Sequence, residues 1–480
     1  MLMHIRRLTR RTLLIVFPLL FALVFALVVQ IRTASAASLI QLSSDPFTNS
    51  SSQHRTEVEP DTFSFGSTLV TAFQTGRIFN GGSSDIGWAT SNNNGTTWTK
   101  GFLPGTTTFA NPPGSFSAIS DPSVAFDAAH NTWLILSLGI TSNQTVVVSR
   151  STDSGLGHTW SNPITVASGS LDKTWIVCDN TSTSPFFGHC YAEWDNPSSS
   201  DLLQMSTSTN GGQTWSAPKA TVLGNHGLGG QPLVQPGGTV IVPYQSTASN
   251  TIRAFTSTNG GASWNGAVVI SSFNDHGISG LRTEPLPSAE IDGSGKVYVV
   301  WQDCRFEPGC ASNDLVMSTS TNGTSWSTVT RVPIDPVGSG IDHVIPGLAV
   351  DKAFSGSSAH LGLAFYFCSS TCQLQVGFVS STNGGATWTA KNTLTSTPMP
   401  LAWLANTSLG RMVGDYISTS FSNGHAFPVF AVATAPSGST FNEAMFTVVS
   451  GLTIAQGTLK AGADRVLSTA TSTRGIYIVR

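Results

Sequence analysis

The sequence predicts an all-β chain built as a radial or stacked array of small sheets. Three observations predict it: one short turn motif occurs six times and ends each time in tryptophan, strand-type alternation fills the stretches between copies, and helical periodicity is almost absent after the N-terminal segment. The copies read Ser91-Asn-Asn-Asn-Gly-Thr-Thr-Trp98, Ser151-Thr-Asp-Ser-Gly-Leu-Gly-His-Thr-Trp160 and Ser208-Thr-Asn-Gly-Gly-Gln-Thr-Trp215. The others are Ser257-Thr-Asn-Gly-Gly-Ala-Ser-Trp264, Ser320-Thr-Asn-Gly-Thr-Ser-Trp326 and Ser381-Thr-Asn-Gly-Gly-Ala-Thr-Trp388. Their tryptophans lie 62, 55, 49, 62 and 62 residues apart, a spacing that suits one small sheet per repeat.

The motif makes sense as a hairpin. Asn or Asp tolerates left-handed backbone and bonds its own turn, while Gly supplies positive φ without a Cβ clash. Ser and Thr hydroxyls close further local bonds, and the tryptophan opens the next strand as a large buried wedge. The second copy is two residues longer and the fifth one shorter. Only the second keeps an acid, Asp153; Asn elsewhere preserves the turn chemistry without the charge.

Ahead of the repeats, Arg6, Arg7, Arg10 and Arg11 precede an apolar run from Leu13 to Val29, and Ala34-Ser35-Ala36 follows as a small-residue cleavage site. Residues 1–36 are therefore expected to be a secretory signal, by the general or the twin-arginine route, and 37–480 one large repeat domain of an exported, extracellular protein. Uncleaved, the run would act as a membrane anchor, the one way a membrane enters this reading. Charged residues are 10% of the chain and the net charge is −3. No basic stripe argues for nucleic acid, and a monomer is expected.

The six cysteines form three near-neighbour pairs, Cys178/Cys190, Cys304/Cys310 and Cys368/Cys372. Fifteen connectivities are possible; export and short separations favour these local bridges. A zinc site is the alternative, without a CxxC spacing or a histidine partner to support it. No HExxH, P-loop, GxSxG or EF-hand pattern is present, and neither a metal nor a cofactor is expected.

The pattern Ser-x-Asp/Asn-x-Gly-x-Thr/Ser-Trp resembles the Asp-box, or bacterial neuraminidase repeat, of sialidases and related β-propellers. The resemblance implies a single propeller of four-stranded blades, with each Asp-box joining the third strand to the fourth on the face opposite the active site. Inner strands are then expected to start at Glu59-Pro60-Asp61, Asp121-Pro122, Asp172, near Gln231-Pro232, near Leu286-Pro287 and near Ile345-Pro346. A further set without an Asp-box follows at Gly414-Asp-Tyr-Ile-Ser418, Ala426-Phe-Pro-Val-Phe430 and Ala444-Met-Phe-Thr-Val448. It holds three strands, and Ser38-Leu-Ile-Gln-Leu42 is a spare strand that could complete it and remove an exposed edge. Seven blades are favoured over the six of sialidases; the tail from Gly451 could supply the closing strand instead.

The same resemblance implies a site of three arginines gripping a substrate carboxylate, an Asp acid/base and a Tyr nucleophile assisted by Glu. The Arg-Ile-Pro box at the start of the first blade reads Val58-Glu59-Pro60 here, so its arginine is missing. Phe73-Gln-Thr-Gly-Arg77 is similar to the Arg-bearing segment, and Asp85 stands where the acid/base is expected. Glu284, Glu290 and Arg305 match the Glu–strand–Arg segment, and Tyr416, with Arg411 just before it, matches the nucleophile segment. The assigned roles are Asp85, Tyr416, Glu284 and Glu290 in catalysis and Arg77, Arg305 and Arg411 in substrate binding.

Plainer readings compete. Asp85 could cap a loop, Arg305 brace the loop beside Cys304, and Tyr416 pack with its hydroxyl bonded across the channel. Glu59, Asp121, Asp172, Gln231, His343 and Asp415 recur near inner-strand starts and read as a polar, water-filled channel lining. Two functions follow: a secreted sialidase-like glycoside hydrolase, or a non-catalytic propeller binding glycan or protein with the same face.

Overall fold

A computed structural model describes residues 37–156 and 159–462; the expected leader, Met1–Ala36, lies outside the described residues. From Glu57 the strands run as successive antiparallel meanders. The first set is Glu57–Phe65, Thr68–Arg77, Ser83–Ser91 and Thr99–Phe102, and the second is Ala118–Asp127, Thr132–Ile140, Gln144–Ser151 and Ile164–Gly169. The third is Asp172–Cys178, Cys190–Asn196, Leu202–Ser208 and Lys219–Ala220. In the fourth, Gly227–Leu228 and Leu233–Val234 share the inner place beside Val240–Ser246, followed by Thr251–Ser257 and Val268–Ser272. The fifth is Ser288–Ile291, Val297–Asp303, Asp314–Ser320 and Thr330–Arg331; the sixth is Asp342–Asp351, His360–Cys368, Gln373–Ser381 and Asn392–Thr393.

The last set draws on both ends of the chain. Ser418–Ser422, His425–Ala433 and Glu443–Val448 pair in order, and Leu39–Gln41 adds the fourth strand, with Ile40 opposite Thr447. The N-terminal segment is fixed beyond that strand as well. Leu42 N–H donates to Met445 O at 2.8 Å, and Ser43 Oγ donates to Glu57 Oε2 at 2.9 Å. In the described part of the tail, Leu452–Thr453 pairs with His425 and Ala426 of this set, and Leu459–Lys460 with Thr387–Trp388 of the sixth.

Inner strands succeed one another around an axis, and Ser418–Ser422 packs between those of the sixth and first sets. The architecture is a β-propeller, closed on itself. Long middle strands such as Ser83–Ser91 are buried throughout, because each sheet is covered on both faces by its neighbours. The apolar core is accordingly divided into wedges between sheets. One wedge joins Leu134 and Val148 of the second set to Ile176 and Trp194 of the third; another joins Val344 and Phe378 of the sixth to Phe430 of the last and Phe73 of the first.

The six repeats form the turns expected of them. Ser91 Oγ accepts the Gly95 N–H and donates to Asn93 Oδ1, which also accepts the Thr97 N–H, each at 2.9 Å. Asn383 repeats this pattern with Ser381 and Thr387, so the amide oxygen does what an aspartate would do. Each turn rests on the preceding sheet. Ser154 O accepts from Thr90 Oγ1, Gly261 sits over Tyr191, Gly323 over Ile241 and Gly385 over Met317, while Gly95 of the first set sits over Phe427 of the last. The tryptophan wedge holds for Trp160, Trp264 and Trp388, which are buried; Trp98, Trp215 and Trp326 are only half-buried. Asn383→Ala is expected to cost about 1–2 kcal/mol, by stranding the Ser381 hydroxyl and the Thr387 amide. Urea denaturation checks it.

Three disulfides join Cys178–Cys190, Cys304–Cys310 and Cys368–Cys372. The last two staple loops between second and third strands. The first bridges directly opposed residues of two strands and ties off the 179–189 loop on the Asp-box side.

Candidate functional site

The site begins with a repeated irregularity of the inner strands. Strand register slips between Val58 and Asp61, Ser120 and Ser123, Asp172 and Trp175, and Val344 and Gly347. Within these bulges Glu59, Asp121, Lys173 and Ile345 take φ of 56°, 46°, 50° and 51°. Proline follows in three of them, where its missing N–H costs no ladder bond. Gly414 lets the last set join this layer: a Cβ there would lie 2.9 Å from Glu59 N and 2.7 Å from Tyr416 O.

At this end of the channel the side chains bond across the ring. Asp415 takes Arg282 in a two-pronged pair, Nε to Oδ1 at 2.7 Å and Nη2 to Oδ2, and Lys173 Nζ also binds Oδ2. Burial alone would raise the Asp415 carboxyl, but Arg282 and Lys173 hold it far below the usual carboxylate range. Glu59 accepts from Gln74 Nε2, and burial, with Asp415 and Asp121 nearby, pushes it up to about 8. Asp172 is pushed up to about 6, by burial first and Asp121 second. Tyr416 donates its hydroxyl to Pro122 O at 3.1 Å and meets the Trp175 ring edge-on at 5.0 Å. The cavity beside Tyr416 and Trp175 measures about 10 Å³, room for about one water.

The sequence-assigned residues divide among several places. Glu284 is at this mouth, in the field of Asp415, Lys173 and Arg282, with its carboxyl raised chiefly by burial. Arg77 is near it but buried, its guanidinium given to Ile78 O and Gly82 O at 3.0 and 2.6 Å. Glu290 lies further along the axis, in a cavity of about 240 Å³ it shares with Asp61 and Lys352. Arg305 is held by Asp303 and Ser271 on the flank between the fourth and fifth sets, a brace for the Cys304 loop. Arg411 donates to Leu404 O at 2.9 Å and lies over Phe441. Asp85 lines a different cavity, between the first two sets, and does not share one with Tyr416. His343 also leaves the expected lining: it bonds Asp335 at 2.9 Å, because the bulge position in its strand is Ile345.

Sequence reasoning missed Lys173 and Arg282 as partners of Asp415. The signal for Lys173 was its place in the strand start that carries Glu59 and Asp121 elsewhere; Arg282 stands two residues before Glu284. Among the described residues no group of three or more His, Cys, Asp or Glu is arranged to hold a metal ion, and no helix is long and apolar enough to cross a membrane.

A closed ring of four-stranded sheets stitched by Ser-Asx-Gly-Trp turns defines the class, the Asp-box β-propellers. The profile of the BNR repeat-like domain matches residues 140–349. No curated protein sequence matches it. Among solved structures, a polysaccharide lyase, ulvan lyase bound to a GlcA(1-4)Rha3S unit, is similar in fold: 10% identity, TM-score 0.51, covering 84% of this chain and 96% of that one. The Hadza microbial sialidase Hz136 is 16% identical with a TM-score of 0.43, covering 65% of this chain. This chain spans only 64% of that sialidase's length. The NanB sialidase from Streptococcus pneumoniae is 14% identical with a TM-score of 0.46, covering 88% of this chain and 72% of that one.

Proposed function

We propose that this is an exported glycan-binding propeller that holds a sugar chain across the channel mouth. The small cavity beside Tyr416 carries the reading, since it has room for about one water and none for a sugar ring drawn down onto the hydroxyl. The arginines support it too. Arg77, Arg305 and Arg411 are bonded to their own scaffold and Arg282 to Asp415, so these four do not converge as an open trio on a sialic acid carboxylate. What the mouth offers is a half-buried Trp175, the edge of Arg282 and the Glu284 carboxyl, groups suited to sugar hydroxyls. The match to the BNR repeat-like domain supports glycan ligands, and three disulfides support export.

One observation favours the hydrolase reading. Glu284 is an acid of raised proton affinity with no side-chain hydrogen bond among the described residues, as a general acid would be. The two separate in one experiment on the exported chain: a glycan array run beside aryl glycosides that include a sialoside. Glycan capture without turnover, weakened by Trp175→Ala, is expected. Sialoside turnover abolished by Tyr416→Phe would reject the binding-only reading in favour of hydrolysis.

A further inference from the structure

A second cavity lies on the flank, between the first two sheets and the N-terminal segment. It measures about 550 Å³, within the range of small-molecule sites, roughly 300–1,000 Å³. Its walls are aromatic. Phe47 and Phe102 meet edge-to-face at 5.1 Å and 73°, Trp88 and Trp160 are tilted at 6.2 Å, and Phe109 completes the rim. Phe47, Phe102 and Phe109 are half-buried, so each keeps part of its ring open to solvent, whereas the two tryptophans are buried beneath. None of Lys173, Arg282, Asp415 and Tyr416 lines this cleft.

Asp85 is its one ionisable lining residue. Oδ1 accepts the Ile86 N–H at 2.8 Å and the Thr106 hydroxyl at 2.6 Å, which fixes the carboxyl group. Among the described residues, neither the buried Oδ2 nor the buried Trp160 Nε1–H in the same wall has a hydrogen-bond partner. Buried polar atoms in proteins are nearly always paired, so a carboxyl oxygen and an indole N–H left open in one aromatic cleft point to a ligand that can meet both. A hydroxyl both donates and accepts; an ammonium ion only donates, and a trimethylated one does neither. Burial also pushes Asp85 up to about 8, which keeps its carboxyl protonated at neutral pH and removes the charge that would draw a cation.

We propose that this cleft is a second binding site, for a neutral sugar ring stacked on Phe102 and Phe109 with its hydroxyls turned to Asp85 and Trp160. The inference is independent of the channel-mouth reading, since the two sites share no residue. It gives Asp85 a role in sugar binding far from Tyr416.

The test is calorimetry and tryptophan fluorescence on the exported chain, with neutral gluco-, galacto- and manno-hexasaccharides and with tetramethylammonium as probes. One neutral saccharide is expected to bind, and Phe102→Ala and Phe109→Ala each to weaken it roughly tenfold or more. Both rings are on the rim, so folding should survive; far-UV circular dichroism confirms it, and Phe109→Trp should restore binding. Three results would overturn the proposal: no neutral saccharide binds, both alanine variants bind as tightly as the unsubstituted chain, or Phe109→Ala weakens tetramethylammonium alone. Loss of binding in Trp175→Ala with both rim variants unaffected would leave the mouth reading intact and reject this one.

Discussion

Asp415→Ala is expected to be the most damaging single substitution in the channel, costing about 3–5 kcal/mol. The carboxylate is the shared partner of two cations that are themselves nearly buried, with 9% of the Lys173 side chain and 17% of that of Arg282 exposed. Removing it leaves two like charges facing each other at the mouth, and most of the loss comes from those stranded cations. That origin makes a second expectation. Lys173→Met alone should be costly, but added to Asp415→Ala it should relieve part of the damage, so the two changes combine to less than their sum. Chemical denaturation of the two single variants and the double measures the coupling. Additive losses would mean that the triad is not a unit.

The second large effect is on pH. Burial lifts Glu57, Glu59 and Asp85 to about 8 and Asp61 and Glu290 to about 7 in the folded chain. Each then holds a proton that the unfolded chain has already released above about pH 4.5. The folded state binds more protons across that window, so stability falls as pH rises, and this contribution is gone once pH passes the folded values. Two groups act the other way. Asp415 is held far down by Arg282 and Lys173, and Asp335 to about 2 by His343 and Lys391 against the effect of burial; their contribution is present above about pH 4 and lost below it. Melting temperature should therefore peak at about pH 5 and decline steadily to about pH 8. Asp85→Asn, which removes one of the titrating groups, should make the decline shallower. A profile flat from pH 5 to pH 8 would contradict the burial of these carboxyls as neutral acids.

What could be read from the sequence was what is held locally. The Ser91, Asn93 and Trp98 side chains of the Ser91–Trp98 turn find their partners within eight residues, so the motif contains the hydrogen bonds that shape it. The cysteine pairs are 12, 6 and 4 residues apart, and a three-strand set with a spare strand at the other terminus has one economical completion. The mouth is different. Asp415 meets Arg282 from 133 residues away and Lys173 from 242, and which arginine remains open to a ligand depends on such neighbours. Arg305 was the exception: Asp303, two residues before it, already offered the carboxylate that claims its guanidinium.

The strand Leu39–Gln41 bears on time as well as on shape. It is made well before its partner Glu443–Val448. From the moment it leaves the ribosome until that partner has followed, it has no strand to join. Sheets in between can form as they emerge, since each is a local meander. The final one cannot, and until it does the wedge holding Phe430 and Met445 lacks Leu42 and stays open to water. An interrupted chain, or one cut anywhere before Glu443, therefore leaves an open arc with a sticky side, and quality control can detect incompleteness at that single seam.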